Sequence, residues 1–281
     1  MRISKDSIFI IRPLNCILTF VAVWAGAVIS ANGYISPQII LASLSAMSIA
    51  AYGYIINDIF DLKVDSINKS QRPIASGRIA ARTALAIAIA AAVIGLLLST
   101  FINYKLFMTS LAIVALLSLY TPYFKPIPYL GNLIIAAISA MAFIYGGMAV
   151  GDSSGPIFIA IFSFLYHFAR EIIKDLEDRE ADSEAGSETQ VRRTFGTGLP
   201  RLIAVITIII LIVVTFVPYF AKIYGNLYMI IVFLGVDSFL IMATLILIWT
   251  DDIAAMRKLA VMLKIPMPIG ILAVLLGSFG L

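Results

Sequence analysis

Long apolar stretches alternate with short polar gaps along the whole chain. Nine of the stretches reach the length at which a helix crosses a bilayer, about 20 residues. They run at about 9–31, 36–58, 82–101, 104–121, 130–151, 156–174, 200–218, 226–249 and 262–280. The gap Ile102-Asn103-Tyr104-Lys105 is so short that its flanking helices are antiparallel neighbours. Two gaps are long and polar, about 58–82 and 174–200, and each opens on a cluster of carboxylates. The pattern predicts an all-α, polytopic membrane protein of about nine transmembrane helices, one domain over 1–281.

Composition agrees with that pattern. The 281 residues are 61% hydrophobic and 13% charged, against about 25% charged in a soluble domain. The net charge of +4 needs no nucleic acid to explain it. With the N-terminus in the cytoplasm, every Lys and Arg except Lys105 and Lys222 falls on the cytoplasmic side. That bias predicts a multi-pass cell-membrane protein with its N-terminus inside and its C-terminus outside. Arg2, Lys5 and Arg12 before an apolar run resemble a secretory signal. The run is long for one, and Ser30-Ala31-Asn32 is a poor cleavage site, so a retained first helix is expected. A single cysteine, Cys16, and a single histidine, His167, exclude an intramolecular disulfide, a cysteine metal site and a multi-histidine metal centre.

The candidate chemistry lies in a pattern that occurs twice. Asn57-Asp58-x-x-Asp61-x-x-x-Asp65 and Lys174-Asp175-x-x-Asp178-x-x-x-Asp182 share one spacing, and each begins where an apolar segment ends. On a helix, positions i, i+3 and i+7 fall within an arc of roughly 60°. Three carboxylates on one side repel each other, and the C-terminal end of a helix disfavours anions. A hard divalent cation removes both objections: Mg²⁺ takes oxygen ligands and is held by a few carboxylates plus substrate phosphates. Solvated loop charges are the plain alternative for one copy; two copies at equivalent helix ends favour a diphosphate held through bridging Mg²⁺. Lys69, Arg72 and Lys125 offer charge-assisted contacts to such a group.

The first motif continues as Ile67-Asn68-Lys69 and Arg72-Pro73-Ile74-Ala75-Ser76-Gly77. With this continuation and the second acidic cluster, the whole chain resembles the UbiA superfamily of intramembrane prenyltransferases. The resemblance implies a helical bundle around a cavity open to the cytoplasmic side. It implies Mg²⁺ held by Asp58, Asp61, Asp65, Asp175, Asp178 and Asp182, an isoprenoid diphosphate donor, and membrane lipids around the chain. Asp58, Asp61, Asp175 and Asp178 would then be catalytic. Tyr120 and Lys125, in Leu119-Tyr120-Thr-Pro-Tyr-Phe-Lys125, would stand near the leaving group. Arg12, Asn15, Asn57, Lys69, Arg72 and Asn132 would contribute to the substrate pockets. The stretch Arg170-Glu171-x-x-Lys174-Asp175-x-Glu177-Asp178 resembles the archaeal ether-lipid branch. Enzymes of that branch move a geranylgeranyl group from its diphosphate to the free hydroxyl of geranylgeranylglyceryl phosphate. Arg170 and Lys174 would bind the acceptor phosphate, or Arg170 would pair with Glu171 or Asp175.

Other functions fit less of the chain. A chlorophyllide or an aromatic quinone precursor as acceptor keeps the same donor chemistry. An ion-coupled transporter places its carboxylates near the membrane midplane, whereas these motifs lie at helix ends. A CDP-alcohol phosphotransferase needs Gly after the second Asp, where Leu62 and Arg179 stand. His167 is expected to be structural. Asp237, near the middle of the eighth segment, is expected to line the cavity, pair with a polar group or carry a proton.

Overall fold

The computed structural model describes residues 9–178, 196–250 and 252–280. Among these residues every regular element is helical. The order is α1 Pro13–Ser30, α2 Pro37–Phe60, α3 Leu62–Asn68, α4 Ala81–Thr100, α5 Tyr104–Leu119, α6 Leu130–Ala149 and α7 Ile157–Glu177. The C-terminal part adds α8 Gly198–Phe220, α9 Asn226–Val232, α10 Ser238–Trp249, α11 Ile253–Met262 and α12 Pro266–Ser278. Two π-helical turns, Tyr120–Phe124 and Phe233–Asp237, continue α5 and join α9 to α10.

Local chemistry sets several of the helix starts. Proline opens α1, α2 and α12, where its missing N–H is lost without cost. The Asn103 side chain accepts from Leu106 N at 2.8 Å and caps α5. Asp252 does the same for α11 through Ala255 N at 3.0 Å.

Among the described residues, eight helical segments are long and apolar enough to cross a membrane. The other predicted segment, 156–174, is helical over Ile157–Glu177. Its last two turns carry Arg170, Glu171, Lys174, Asp175 and Glu177, too much charge to qualify by composition alone. The predicted last segment, 262–280, is helical as α12, Pro266–Ser278; α11 precedes it, and the chain turns at Leu263–Ile265 between the two. Pro266 disfavours helix at the residue before it and resets the chain there. Many large apolar side chains face outward, among them Phe101, Phe220 and Trp249. Such a surface is a liability in water and the expected one in lipid.

The bundle is built on neighbouring pairs: α2 with α4, α1 with α2 and α6, α6 with α7, and α7 with α8 and α11. Glycine makes the α1–α6 approach possible. A Cβ at Gly26 would overlap the Phe143 carbonyl, and a Cβ at Gly146 would overlap the Val23 carbonyl. Small residues that let backbones touch replace the hydrophobic drive that lipid removes. A buried polar knot joins four more faces. Tyr145 Oη on α6 lies 2.9 Å from Ser45 Oγ on α2 and 2.8 Å from Ser110 Oγ on α5. Ser45 Oγ also lies 2.7 Å from the Gly95 carbonyl of α4. Each of these buried groups has a partner, as buried polar groups require.

The glycine seam generates a test. Gly146→Leu forces α1 and α6 apart, and overpacking of this kind costs about 1–3 kcal/mol or more. The variant is expected to melt at lower temperature in detergent, read by fluorescence-detected size exclusion after heating; an unchanged melt would refute the close approach.

Candidate active site

Both acidic motifs end helices, and they do so in the same way. Asp58 belongs to the last turn of α2, and Asp61 is the residue that stops it, with φ −81° and ψ 4°. Asp175 belongs to the last turn of α7, and Asp178 stops that helix with φ −76° and ψ 2°. The N–H of Asp61 bonds the Asn57 carbonyl at 2.8 Å, and that of Asp178 bonds the Lys174 carbonyl at 2.9 Å. The sequence repeat is therefore also a repeat of backbone conformation. Asp65 follows in the short α3, while Asp182 lies outside the described residues.

The three carboxylates of the first motif do not share one partner, as a single helical stripe would suggest. Asp58 and Asp65 are each 5% exposed and both accept from Arg72, at 3.0 and 2.5 Å. Arg12 donates to Asp58 as well, and its guanidinium lies 5.3 Å from the centre of the Tyr54 ring. Arg12 adopts φ 51°, a left-handed conformation unfavourable for a side chain of this size. Asp61 turns instead to Asn57 Nδ2 at 2.8 Å and to Lys125 Nζ at 2.5 and 2.6 Å. The stop at Asp61 is what separates it from its neighbours. Asn57 is oriented in turn by Thr121, whose hydroxyl donates to Asn57 Oδ1 at 3.0 Å.

One contact joins the two motif regions, and another ties the second motif to α6. Lys69 Nζ reaches Asp178 at 3.2 and 3.3 Å. Asn132, early in α6, donates to Asp175 Oδ2 at 2.9 Å. Tyr120 stands between the two clusters, in electrostatic reach of Glu171, Asp175 and Asp61. The π-helical turn that begins at Tyr120 ends where the Lys125 N–H bonds the Tyr120 carbonyl at 2.8 Å, and this places Lys125 over Asp61. Arg170 pairs with Glu171 at 3.1 Å and Lys174 with Glu171 at 3.2 Å. Of the two readings of Arg170, the pairing with Glu171 is present. Among the described residues its Nε is nonetheless buried without a partner, as is the Tyr129 hydroxyl beside α6. Burial, and then the nearby Asp175 carboxylate, raise the Tyr129 phenol above its ordinary pKa.

The structure thus brings together Arg12, Asn57, Asp58, Asp61, Asp65, Lys69, Arg72, Tyr120, Lys125, Asn132, Arg170, Lys174, Asp175 and Asp178. Asn15 is half-buried on the first turn of α1, and its side-chain amide has no partner among the described residues. His167 contacts the Tyr166 ring edge-on at 6.1 Å. Asp237 is fully buried in the C-terminal half, where it lies 3.3 Å from Thr215 Oγ1; of its three expected roles, pairing is the one present. Sequence reasoning missed three residues. Tyr54 and Glu171 each precede the first Asp of their motif by four residues and so share its helix face, a signal that was available. Thr121 carried no signal beyond its neighbour Tyr120.

The donor chemistry of this site fits Mg²⁺. Among the described residues no three potential ligands close into a cage, and Mg²⁺ does not need one. It is usually held by one or two carboxylates with waters and substrate phosphates. Every described motif carboxylate already has a basic or amide partner. A diphosphate entering this charge-balanced site brings several negative charges that only added cations can offset. The arginine pairs are the buried ones. Those of Lys69, Lys125 and Lys174 are more open, with side chains 37, 42 and 44% exposed. Exposed pairs contribute about 0–1 kcal/mol, so these three ammonium groups are free to exchange one anion for another.

A sequence model described as the UbiA prenyltransferase family matches residues 18–265. The chain belongs to the UbiA prenyltransferase family. A digeranylgeranylglyceryl phosphate synthase of Sulfurisphaera tokodaii is 35% identical over 261 residues, 91% of each chain. A solved structure concerned with digeranylgeranylglyceryl phosphate synthase in membranes superposes with a TM-score of 0.80 at 30% identity, over 99% of both chains. A UbiA homologue from Archaeoglobus fulgidus, bound to GPP and Mg²⁺, has a TM-score of 0.64 at 21% identity and covers 96% of this chain and 99% of its own. That last likeness is one of fold. The all-helical membrane fold and the superfamily resemblance carried by the two acidic motifs are both borne out. As a UbiA prenyltransferase the chain is a multi-pass membrane enzyme.

Arg72 is the shared partner of two buried carboxylates. Breaking a buried pair costs about 3–5 kcal/mol, and the partial exposure of Arg72 points to the lower end of that range. Arg72→Met is expected to lower thermal stability as well as activity. Lys125→Met should leave the melt unchanged and impair turnover alone. Equal melts for both variants would contradict the division between buried arginines and exchangeable lysines.

Proposed function

We propose that this protein transfers a geranylgeranyl group from geranylgeranyl diphosphate to the free hydroxyl of geranylgeranylglyceryl phosphate, forming the second ether bond of archaeal membrane lipids. The observation that carries this reading is the meeting of the two motif regions through Lys69–Asp178, with Asn132 of α6 held to Asp175 beside it. Neither cluster alone suffices to grip a diphosphate; facing each other, they define one slot. The names of the relatives support the choice of substrates.

In this reading Asp58, Asp61, Asp65, Asp175, Asp178 and Asp182 would hold Mg²⁺, which when bound neutralises the diphosphate as it leaves. Lys69 and Lys125 release their carboxylates and turn to the phosphate oxygens, the positions where negative charge grows. Arg72 and Arg12 keep Asp58 and Asp65 in place. Tyr120 and Asn132 order the two sides of the slot, and Asn57 orients Asp61. The apolar bundle below excludes water from the allylic cation until the acceptor captures it. Arg170 and Lys174, one to two turns along α7, take the acceptor phosphate, and Asn15 faces the same substrates from α1. The Lys and Arg bias places the slot on the cytoplasmic side, with the N-terminus inside and the C-terminus outside. We read the whole chain, 1–281, as one catalytic domain.

The test is turnover by the purified protein with Mg²⁺ and radiolabelled geranylgeranyl diphosphate. Geranylgeranylglyceryl phosphate, 4-hydroxybenzoate and a chlorophyllide are offered in turn. A diether phosphate that disappears on adding EDTA is the expected result. Asp58→Ala and Asp175→Ala should each lower kcat by about 10²–10³, as the loss of a preorganised electrostatic contact does, while still inserting into the membrane. Product with an aromatic or chlorophyllide acceptor alone would keep the donor chemistry and overturn the acceptor. Full activity of both variants would overturn the diphosphate slot.

A further inference from the structure

Capture of the allylic carbon by a hydroxyl leaves a proton to be removed, and the groups described so far do not remove it. The motif carboxylates are committed to cations at the diphosphate end. The phenols of Tyr54 and Tyr120 are already protonated at neutral pH, their ordinary pKa being about 10. Glu171 is different. It lies on α7 one turn inward of Asp175, about 6 Å at 1.5 Å per residue. A donor held by its diphosphate at the motif level would hang its reacting carbon on this inward side. Its side chain is 14% exposed and is flanked by Arg170 and Lys174.

Two neighbouring elements lie within electrostatic reach of it. Tyr54 of α2 and Tyr120 at the end of α5 both feel the Glu171 charge, and Tyr54 also feels Arg12 and Arg170. On its own helix Glu171 faces Arg170, Lys174 and His167. Tyr54 and Glu171 occupy the same place in the two repeats, four residues before Asp58 and Asp175. One repeat thus offers an aromatic face at this depth, suited to a cation, and the other offers a carboxylate.

We propose that Glu171 is the base that takes the proton of the acceptor hydroxyl. The assignment rests on the reading of the chain as an alcohol-prenylating enzyme. The bond from the donor's C1 to the diphosphate oxygen breaks, and its electron pair leaves with pyrophosphate. A lone pair of the acceptor oxygen forms the new C–O bond, and the O–H proton passes to a Glu171 carboxylate oxygen. The products are a neutral ether link, pyrophosphate and a protonated Glu171, which later returns its proton to water. A carboxylate is base enough for this. The acceptor oxygen becomes positively charged as it bonds, and its proton is then far more acidic than a carboxylic acid. Arg170 and Lys174 hold the acceptor phosphate on either side of the same carboxylate, which fixes the hydroxyl next to its base.

Glu171→Gln keeps the size and the hydrogen-bonding capacity and removes the basicity. Its kcat is expected to fall by about 10²–10⁴, the usual worth of general base catalysis, with the acceptor KM within a few-fold of wild type. Glu171→Asp should recover part of kcat, and the acid limb of the wild-type kcat–pH profile should vanish in Glu171→Gln. Binding of the donor with Mg²⁺ checks that each variant is folded. A raised acceptor KM with kcat intact would show that Glu171 only positions Arg170 and Lys174, and would overturn the assignment. Wild-type protein that releases no pyrophosphate with any acceptor would instead overturn the prenyltransfer reading beneath it.

Discussion

A carboxylate cannot be buried at the edge of a bilayer without a partner, and this requirement organises the acidic end of the molecule. Asp58 is held by Arg12 and Arg72 together. Satisfying it draws the first turn of α1 and the loop after α3 onto the end of α2. Arg12 is pulled into a left-handed conformation in doing so, a local cost that the ion pair offsets. The lysines satisfy a second set of carboxylates on the wetter side. Arginine, weakly hydrated and fork-shaped, suits the buried fixed pairs; lysine, a mobile point charge, suits pairs that must open. The same charge balance thus builds a scaffold and leaves a set of exchangeable cations above it.

The helical membrane architecture was legible because lipid enforces it: no segment crosses without satisfying its own backbone, so hydropathy tracks topology. The acidic clusters were legible for a similar reason, since two triplets of equal spacing at helix ends have few structural explanations. The interruptions within helices were not legible. Nothing in Tyr120–Phe124 or Phe233–Asp237 announces a π-helical turn, because such a turn depends on what it packs against. Gly235 on the second of these faces Ile269 of α12, where a Cβ would intrude, and Asp237 is turned to Thr215. The break between α11 and α12 is signalled by Pro266 and Pro268, and the last apolar segment read from the sequence begins at that break.

The division of roles along α7 was half legible. Its charged end reads as a poor transmembrane segment by composition, and that is the cost of presenting Arg170, Glu171, Lys174, Asp175 and Asp178 on one helix. Helical spacing puts Glu171 one turn from Asp175 on the same face, although from sequence it stood only as a partner for Arg170. The charges of Arg170 and Lys174 drew attention first, because an anionic substrate explains cations more directly than it explains a further anion. The ion pairs of Glu171 with Arg170 and Lys174, one turn inward of Asp175, separate it from the motif carboxylates.

The close approach of α1 and α6 at Gly26 and Gly146 has a consequence for traffic. Two backbones in direct touch have no side chain to yield, so α1 and α6 behave as one rigid post. Long hydrocarbon chains that arrive from the bilayer cannot part the wall there. Their doorway has to be a seam closed by flexible side chains, and the post decides which side of the molecule that doorway is on.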